Sequence, residues 1–227
     1  MISKTKALSS FHLISIFPQI FDSYLKFGVI GRAVKKGLIH VQLHNLRDFS
    51  DKQKNGRIDD RPYGGGPGMV LEALPVVRAV EKIIKGKSEK NKIKVLIMAA
   101  GGRPFTNALA ERWAKNYNEL ILVAGRYEGI DARVRRMIPG VIEVSVGPYV
   151  LTGGELPALA ILDAVARRLP DVLGDELSVE EKRIAGKEVY TRPEVITHRG
   201  RKSRVPKVLL SGNHQKIDDW RKTLKNK

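Results

Sequence analysis

Apolar residues along this chain fall into short runs separated by polar stretches, and the runs alternate between two periods. Residues 11–17, Phe-His-Leu-Ile-Ser-Ile-Phe, read as a buried strand, and Pro18 to Lys36 has helical spacing with Gly28 and Gly31 interrupting it. Ile39–Leu46 alternates apolar and polar positions, the period of a half-buried strand. The polar stretch Arg47–Gly68 is too long for an ordinary connection, and loops of such length are usually functional or disordered. Helical spacing returns over Leu71–Lys85. Lys92–Met98 is a β-rich run expected to end in a loop at Ala99-Ala-Gly-Gly102, and Asn107–Asn116 is helical. Leu120–Ala124 and Val141–Val146 are further strands, and Pro157–Arg168 is a helix with an apolar stripe through Leu159, Ile161, Leu162 and Val165.

Strands that alternate with helices predict an α/β domain with a largely parallel sheet buried on both faces. The main domain is expected over residues 1–172. A mobile linker follows at 173–189, charged and poor in large apolar residues, and then a small basic segment at 190–227 with one helix from Gln215. No internal repeat or low-complexity tract is present.

Composition narrows the function. The chain has 227 residues, 41 Lys+Arg against 24 Asp+Glu, a net charge of +17 and no cysteine. The last excludes a disulfide scaffold, a thiolate zinc site and a Cys nucleophile. No apolar run approaches the roughly 18 residues of a spanning helix. Lys4 and Lys6 precede the first apolar run as in a signal peptide, but Pro18 and Phe21 follow it without a small-residue cleavage site, so a strand and a cytoplasmic protein are expected. Residues 101–166 carry 7 basic and 7 acidic side chains, whereas residues 167–227 carry 16 and 9. A neutral centre with basic flanks suggests a core that handles something small and surroundings that meet a polyanion, nucleic acid ahead of a merely basic surface.

Three glycine-bearing segments adjoin strands: Ala99–Arg103, Gly125–Gly129 and Val146–Glu155. In open α/β sheets ligands bind at the carboxyl ends of strands, so the three could converge on one pocket. None is a phosphate cradle of the G-x-x-x-x-G-K-[ST] or G-x-G-x-x-G type. A fourth cluster, Asp59–Met69, combines four Gly and two Pro with Tyr63 and Arg61, which a passive linker rarely does.

Five segments in order, Asp60-Arg-Pro-Tyr-Gly-Gly-Gly-Pro-Gly-Met69, Gly125-Arg-Tyr-Glu-Gly-Ile-Asp131, Tyr149-Val-Leu-Thr-Gly-Gly-Glu-Leu-Pro157, Tyr190-Thr-Arg-Pro193 and Val208-Leu-Leu-Ser-Gly-Asn-His214, closely resemble the TrmD family of bacterial tRNA (guanine-N1)-methyltransferases. The resemblance runs from about Phe11 to Arg221. It implies a SPOUT-type parallel α/β fold with a C-terminal deep trefoil knot plus a small helical C-terminal segment, and a homodimer with each active site at the subunit interface. The implied cofactor is S-adenosylmethionine, bent in the knot and held mainly by main-chain groups, with Mg²⁺ as a further candidate. By motif, its contacts would be Ile97, Met98 and Ala99, then Gly125, Tyr127, Glu128 and Gly129, then Val146, Gly147, Pro148, Tyr149, Val150 and Leu151 with Gly153 and Gly154.

The implied target is N1 of the guanosine immediately 3′ of the anticodon. N1 carries a proton and is a poor nucleophile, so transfer needs a base and a positive group beside O6. Arg167 falls at the family's arginine position. The family's Asp, four residues before the Tyr of Tyr-Thr-Arg-Pro, is Gly186 here, in a linker that looks about four residues shorter than in relatives. Three readings remain: Glu188 supplies the base; Glu180, Glu181 or Asp175 swings in; or catalysis is weak. Glu188 is preferred.

The motif segment Asp60, Arg61, Pro62, Tyr63, Gly64 and Gly65 is expected at the tRNA, and the tail cations Arg192, Arg201 and Arg204, with Arg199, Lys202 and Lys207, are read as phosphate contacts rather than a merely solvated basic face. Pro148 stands where relatives usually have Asp, Ala99-Ala-Gly-Gly102 replaces a more polar Ser-Pro-x-Gly, and the C-terminal domain is short. His40 and His44 share a strand face without a third ligand and read as a surface pair rather than a metal site; His214 reads as structural. Two alternatives stay open: a non-catalytic basic RNA-binding protein, disfavoured by an aromatic content of 6%, and a knotted methyltransferase acting on ribose 2′-OH or another base.

Overall fold

The computed structural model describes residues 10–51, 55–88, 92–173 and 188–225. The chain divides into two compact units, Met1–Leu173 and Gly174–Lys227. The first is built on a five-stranded sheet in the order β2-β1-β6-β5-β7, formed by β1 (Ser10–Ser15), β2 (His40–Asn45), β5 (Ile93–Pro104), β6 (Glu119–Val123) and β7 (Ile142–Ser145). Every pairing in it is parallel. Parallel strands need crossovers, and helices fill both faces. On one face α2 (Gly28–Lys35), α4 (Asn107–Asn116) and α6 (Glu155–Ala166) pack with Phe11, Leu13, Leu96, Leu120 and Leu122. On the other, α3 (Ala73–Ile84) and α5 (Val134–Met137) cover Ile14, Val95, Ile97, Ile121 and Val123. The alternation along β1 and β6 therefore sorts one apolar set into each of two core layers. All five residues of β6 are buried, which is why its run is continuously apolar after Glu119.

Three expectations are corrected here. The segment 18–36 is a 3-10 turn (Pro18–Phe21) followed by α1 (Asp22–Lys26) and α2, broken at Phe27, whose backbone is extended. Gly28 marks that break, but Gly31 lies buried inside α2, where a Cβ would come within 2.4 Å of the Lys26 carbonyl carbon. Secondly, Ala99–Gly102 is no loop after a strand: β5 continues to Pro104, with both Met98 and Arg103 registered opposite Val144. Four residues bow out between them, and Gly102 is small enough to pass β7, since a Cβ there would lie 2.5 Å from the Val144 nitrogen. Thirdly, the long polar stretch is not structureless. It holds a 3-10 turn (Leu46–Phe49), the buried Ile58, and the strand β3 (Asp59–Asp60), which pairs antiparallel with β4 (Val70–Leu71).

The second unit contains a hairpin of β8 (Val195–His198) and β9 (Arg201–Arg204), a short α7 (Lys207–Leu210) and α8 (His214–Lys225). The helix expected from Gln215 is present; the hairpin had no apolar alternation to announce it. Most of the linker expected at 173–189 lies outside the described residues. Among those described, no helix is long and apolar enough to cross a membrane.

Candidate active site

At the carboxyl ends of β5, β6 and β7, three segments enclose a cavity of about 450 Å³. Fourteen of the fifteen residues assigned by motif to the cofactor line it; Pro148 does not. The bowed-out residues Ala99, Ala100 and Gly101 form one wall, Gly125–Ile130 a second, and the run from Glu143 to Gly154 a third, with Pro157 of α6 behind.

The walls are held by close main-chain contact. The Gly154 N–H donates to the Gly125 carbonyl at 2.8 Å. A Cβ on Gly154 would stand 2.7 Å from Ala124 Cα and 2.8 Å from the Gly125 nitrogen, both backbone atoms, so no other residue fits. Glu128 N–H donates to the Met69 carbonyl at 3.0 Å and Leu71 N–H to the Gly129 carbonyl at 2.9 Å, which pins the Asp60–Met69 loop against the second wall. Tyr149 folds back over Gly147, and its half-exposed ring closes the third wall.

Beneath the cavity Glu155 is 2% exposed and accepts hydrogen bonds from Ser15 Oγ at 2.7 Å and Arg126 Nε at 3.1 Å. Two further carboxylates, Glu128 and Glu143, line the cavity, and Glu143 lies 3.4 Å from Arg135. Nearby, the Arg133 guanidinium forks onto Asp131 and holds that carboxyl below the usual range. The arrangement offers apolar walls, main-chain donors and acceptors, and carboxylates that suit a cationic group.

The residues assigned to tRNA divide. Asp60 through Gly65 lie in the pinned loop, where Gly64, Gly65 and Gly66 take φ of +80° or more and Tyr63 is fully exposed. Arg192, Arg201 and Arg204 lie in the second unit and are exposed. On a hairpin, positions three apart face opposite sides, so Arg204 shares its face with Lys202 and not with Arg201. Arg167 is the half-buried residue closing α6 at its C-terminal end, with its N–H bonded to the Asp163 carbonyl. Ten residues of helix separate it from Pro157 at the cavity, about 15 Å along the axis. Glu188 is exposed and accepts a 2.5 Å hydrogen bond from the Tyr190 hydroxyl, a bond that raises the Tyr190 phenol pKa; the Tyr190 ring packs near Trp220. Gly186, Glu180, Glu181 and Asp175 lie outside the described residues.

The surface pair of histidines is a correction. His40 is exposed, but His44 is half-buried with its Nε2 at 3.1 Å from His12 Nδ1, and His12 Nε2 lies 2.9 Å from Glu119. Lys87 also bonds Glu119. Burial lowers the pKa of both imidazoles, that of His44 to about 4; for His12 the bond to Glu119 works against the shift without cancelling it. Burial alone would raise Glu119, but Lys87 and His12 hold it below the ordinary carboxylate range. Among the described residues no group of three or more His, Asp or Glu is arranged to hold a metal ion.

Sequence reading missed Arg126, Thr152 and Glu155 at the cavity and its floor, and the whole His12 cluster. Glu155 carried a signal: an acid at the start of a mostly apolar helix, just after two glycines. The partners of His12 stand 32 and 107 residues away along the chain, so nothing local could reveal them.

Comparison with known proteins bears on this geometry. The family model described as tRNA (Guanine-1)-methyltransferase TrmD matches residues 9–227. A protein of Photobacterium profundum is 46% identical over 213 residues, covering 92% of this chain and 82% of its own length. One from Thermomicrobium roseum is 43% identical over 217 residues, covering 94% and 78%, and one from Clostridioides difficile 42% over 216, covering 93% and 90%. Each of the three is named tRNA (guanine-N(1)-)-methyltransferase.

Proposed function

The chain belongs to the tRNA (guanine-1)-methyltransferase TrmD family, and from that premise we propose that it methylates N1 of guanosine in tRNA, at the nucleotide 3′ of the anticodon, using S-adenosylmethionine. The fold is the family's SPOUT-type α/β domain with its trefoil knot and a helical C-terminal segment. What carries the reading is the coincidence of the family's motifs with one cavity at the ends of β5, β6 and β7.

The residues present fit the cofactor. Ile97, Val146, Leu151 and Pro157 offer apolar surface to a flat base, glycine-rich walls bring main-chain polar groups close, and Glu128 and Glu143 suit the cofactor's positively charged sulfonium and ammonium groups. When bound, S-adenosylmethionine supplies a methyl group on a sulfonium, an electrophile that needs no further activation. The protein's task is then positioning and proton transfer. Glu188 removes the N1 proton, held in orientation by the Tyr190 hydroxyl. Arg167 offsets the negative charge that develops on O6. The Asp60–Met69 loop and the exposed cations of the second unit, Arg192, Arg201 and Arg204 among them, hold the tRNA, the latter through phosphates that fix position without reading sequence. The protein works in the cytoplasm, where its tRNA substrate is found, and its proposed division is a knotted domain at 1–172, a linker at 173–189 and a basic tRNA-binding segment at 190–227.

The enzyme acts as a homodimer with the site shared between subunits. Two features support this. Arg167 stands a helix length from the cavity of its own subunit, so a second subunit is the natural source of the arginine at each site. The segment 17–27 exposes Phe17, Ile20, Tyr24 and Phe27, the last 74% exposed, and Tyr24 and Phe27 line a groove together with Val29 and Asp163. The Tyr24 hydroxyl donates to Asp163 at 2.5 Å, and burial with that bond pushes its pKa up to about 12.

Incubation of the protein with undermodified tRNA and labelled S-adenosylmethionine, followed by mass analysis of the nucleosides, tests the reading. N1-methylguanosine is expected. Methylated ribose, or no transfer with intact tRNA binding, would sink it in favour of one of the two alternatives. Activity with and without EDTA would decide on Mg²⁺.

A further inference from the structure

The second and third walls of the cavity are joined by one ion pair, between Arg126 in the second wall and Glu155 behind the third. Arg126 leaves the second wall and Glu155 opens α6 directly after the third. Arg126 Nε sits 3.1 and 3.0 Å from the two Glu155 oxygens, and Nη1 donates to the Thr152 carbonyl at 3.4 Å. The guanidinium lies over the Phe17 ring, 5.2 Å from its centre, and Ser15 Oγ anchors Glu155 from β1 at 2.7 Å. The pair crosses directly over Gly153: a Cβ there would be 2.5 Å from both Arg126 Nε and a Glu155 oxygen. The side chains at 2% and 21% exposure are thus shielded from water, which strengthens their attraction.

The loop they hold needs holding. Pro148 to Thr152 is exposed throughout, Val150 at 84%, and few bonds restrain it: Gly154 to Gly125 at one end, Ser145 Oγ to the Gly147 carbonyl at 2.9 Å at the other. A buried ion pair is weak evidence for stability, because a packed apolar pair often serves the fold as well. Geometry gives this one another use.

We propose that Arg126 and Glu155 are positioning residues: they strap the Val146–Gly154 loop to the Gly125–Gly129 segment and so set the spacing of the two walls between which the cofactor lies. The proposal rests on the reading of the cavity as the S-adenosylmethionine site. With the strap intact the loop is pre-organised, and binding does not have to order it. Without it the loop must be ordered on each binding event, so affinity falls while the transfer step, carried by other residues, does not.

Two variants test this by calorimetric titration with S-adenosylmethionine and by single-turnover methylation at saturating cofactor. Arg126→Lys keeps the charge but loses the fixed spacing of the Nε and Nη1 donors that reach Glu155 and the Thr152 carbonyl together. The paired variant Arg126→Met with Glu155→Leu removes both charges and leaves neither unpartnered. In both, Kd for the cofactor is expected to rise about tenfold or more, with the saturated rate within about twofold of wild type and the protein still folded at the assay temperature. An unchanged Kd in either variant overturns the proposal whatever the rate does. So does failure of the paired variant to fold, which would make the strap a structural element. If the wild-type protein itself does not bind S-adenosylmethionine, the reading of the cavity is wrong, an outcome distinct from unequal wild-type and variant affinities.

Discussion

The carboxylate at Glu188 is tied to a phenol two residues away, and that bond separates two roles that a substitution can tell apart. Glu188→Gln keeps an oxygen for the Tyr190 hydroxyl but cannot take a proton. Loss of a general base typically costs about 10²–10⁴ in rate, so single-turnover methylation should fall by that range with cofactor affinity unchanged. A normal rate would pass the role to Glu180, Glu181 or Asp175. The motif led to Glu188 only by elimination, because the family's Asp is a glycine here, and its bond to Tyr190 is what the structure adds. The His12 cluster runs the other way, since its members are ordinary residues in the sequence and become a network only through the strand register. His44 has a pKa of about 4 when folded against 6.5 when exposed, chiefly through burial. Between those values the unfolded chain binds a proton that the folded chain refuses, so stability should rise with pH from about 4 to about 6.5 and level off above. His12 adds to the same slope, its pKa being lowered too. Melting temperature measured across that window should lose part of its slope in His44→Gln; an unaltered slope would remove His44 as a source.

Elements were legible where burial imposed a period. Four strands of the central sheet, β1, β2, β6 and β7, the start of β5, and α3, α4 and α6 stand within about two residues of their expected limits because each must bury an apolar run or stripe. The excursion in β5 was not legible: Ala-Ala-Gly-Gly reads as a turn, and only pairing with β7, some forty residues on, makes it a bowed strand. The hairpin of the second unit was hidden for a related reason, as Arg-Lys-Ser-Arg in β9 has no apolar position at all. At the start of α6 the constraint is steric. Gly154→Ala would drive a Cβ into the backbone of Ala124 and Gly125, which cannot move without parting the end of β6 from the cavity. Overpacking of this kind costs about 1–3 kcal/mol. Urea denaturation should register a loss of that order together with weaker binding of S-adenosylmethionine. A variant that keeps both stability and affinity would mean that the contact at Gly154 yields more easily than its distances imply.

For the whole molecule, the proposed dimer face and the charge distribution make separate predictions. Phe27→Lys on that face should convert a dimer to a monomer on size-exclusion chromatography with light scattering, and abolish transfer if Arg167 serves the neighbouring site; a fully active monomer would refute the shared site. Charge concerns the tRNA. The net +17 is absent from residues 101–166, which hold most of the cavity, and concentrated in the flanks. Binding of a neutral-to-cationic cofactor in a charge-balanced region should hardly respond to salt, whereas binding of a polyanion releases counterions for each phosphate neutralised. Between 50 and 200 mM salt, tRNA affinity is therefore expected to fall by orders of magnitude, roughly 10³–10⁵ if six to ten phosphates are engaged, while cofactor affinity changes little. The hairpin permits a sharper form of the test. Lys202 and Arg204 share one face and Arg201 lies on the other, so a duplex laid on one side engages one set only. If the Lys202 face meets the tRNA, Lys202→Ala and Arg204→Ala should each lower the slope of log K against log salt by about one, and Arg201→Ala should leave it alone. The reverse pattern would turn the hairpin over. Equal slopes in all three variants would take the hairpin out of the interface and leave the phosphate contacts to Arg192 and the cations of the first unit.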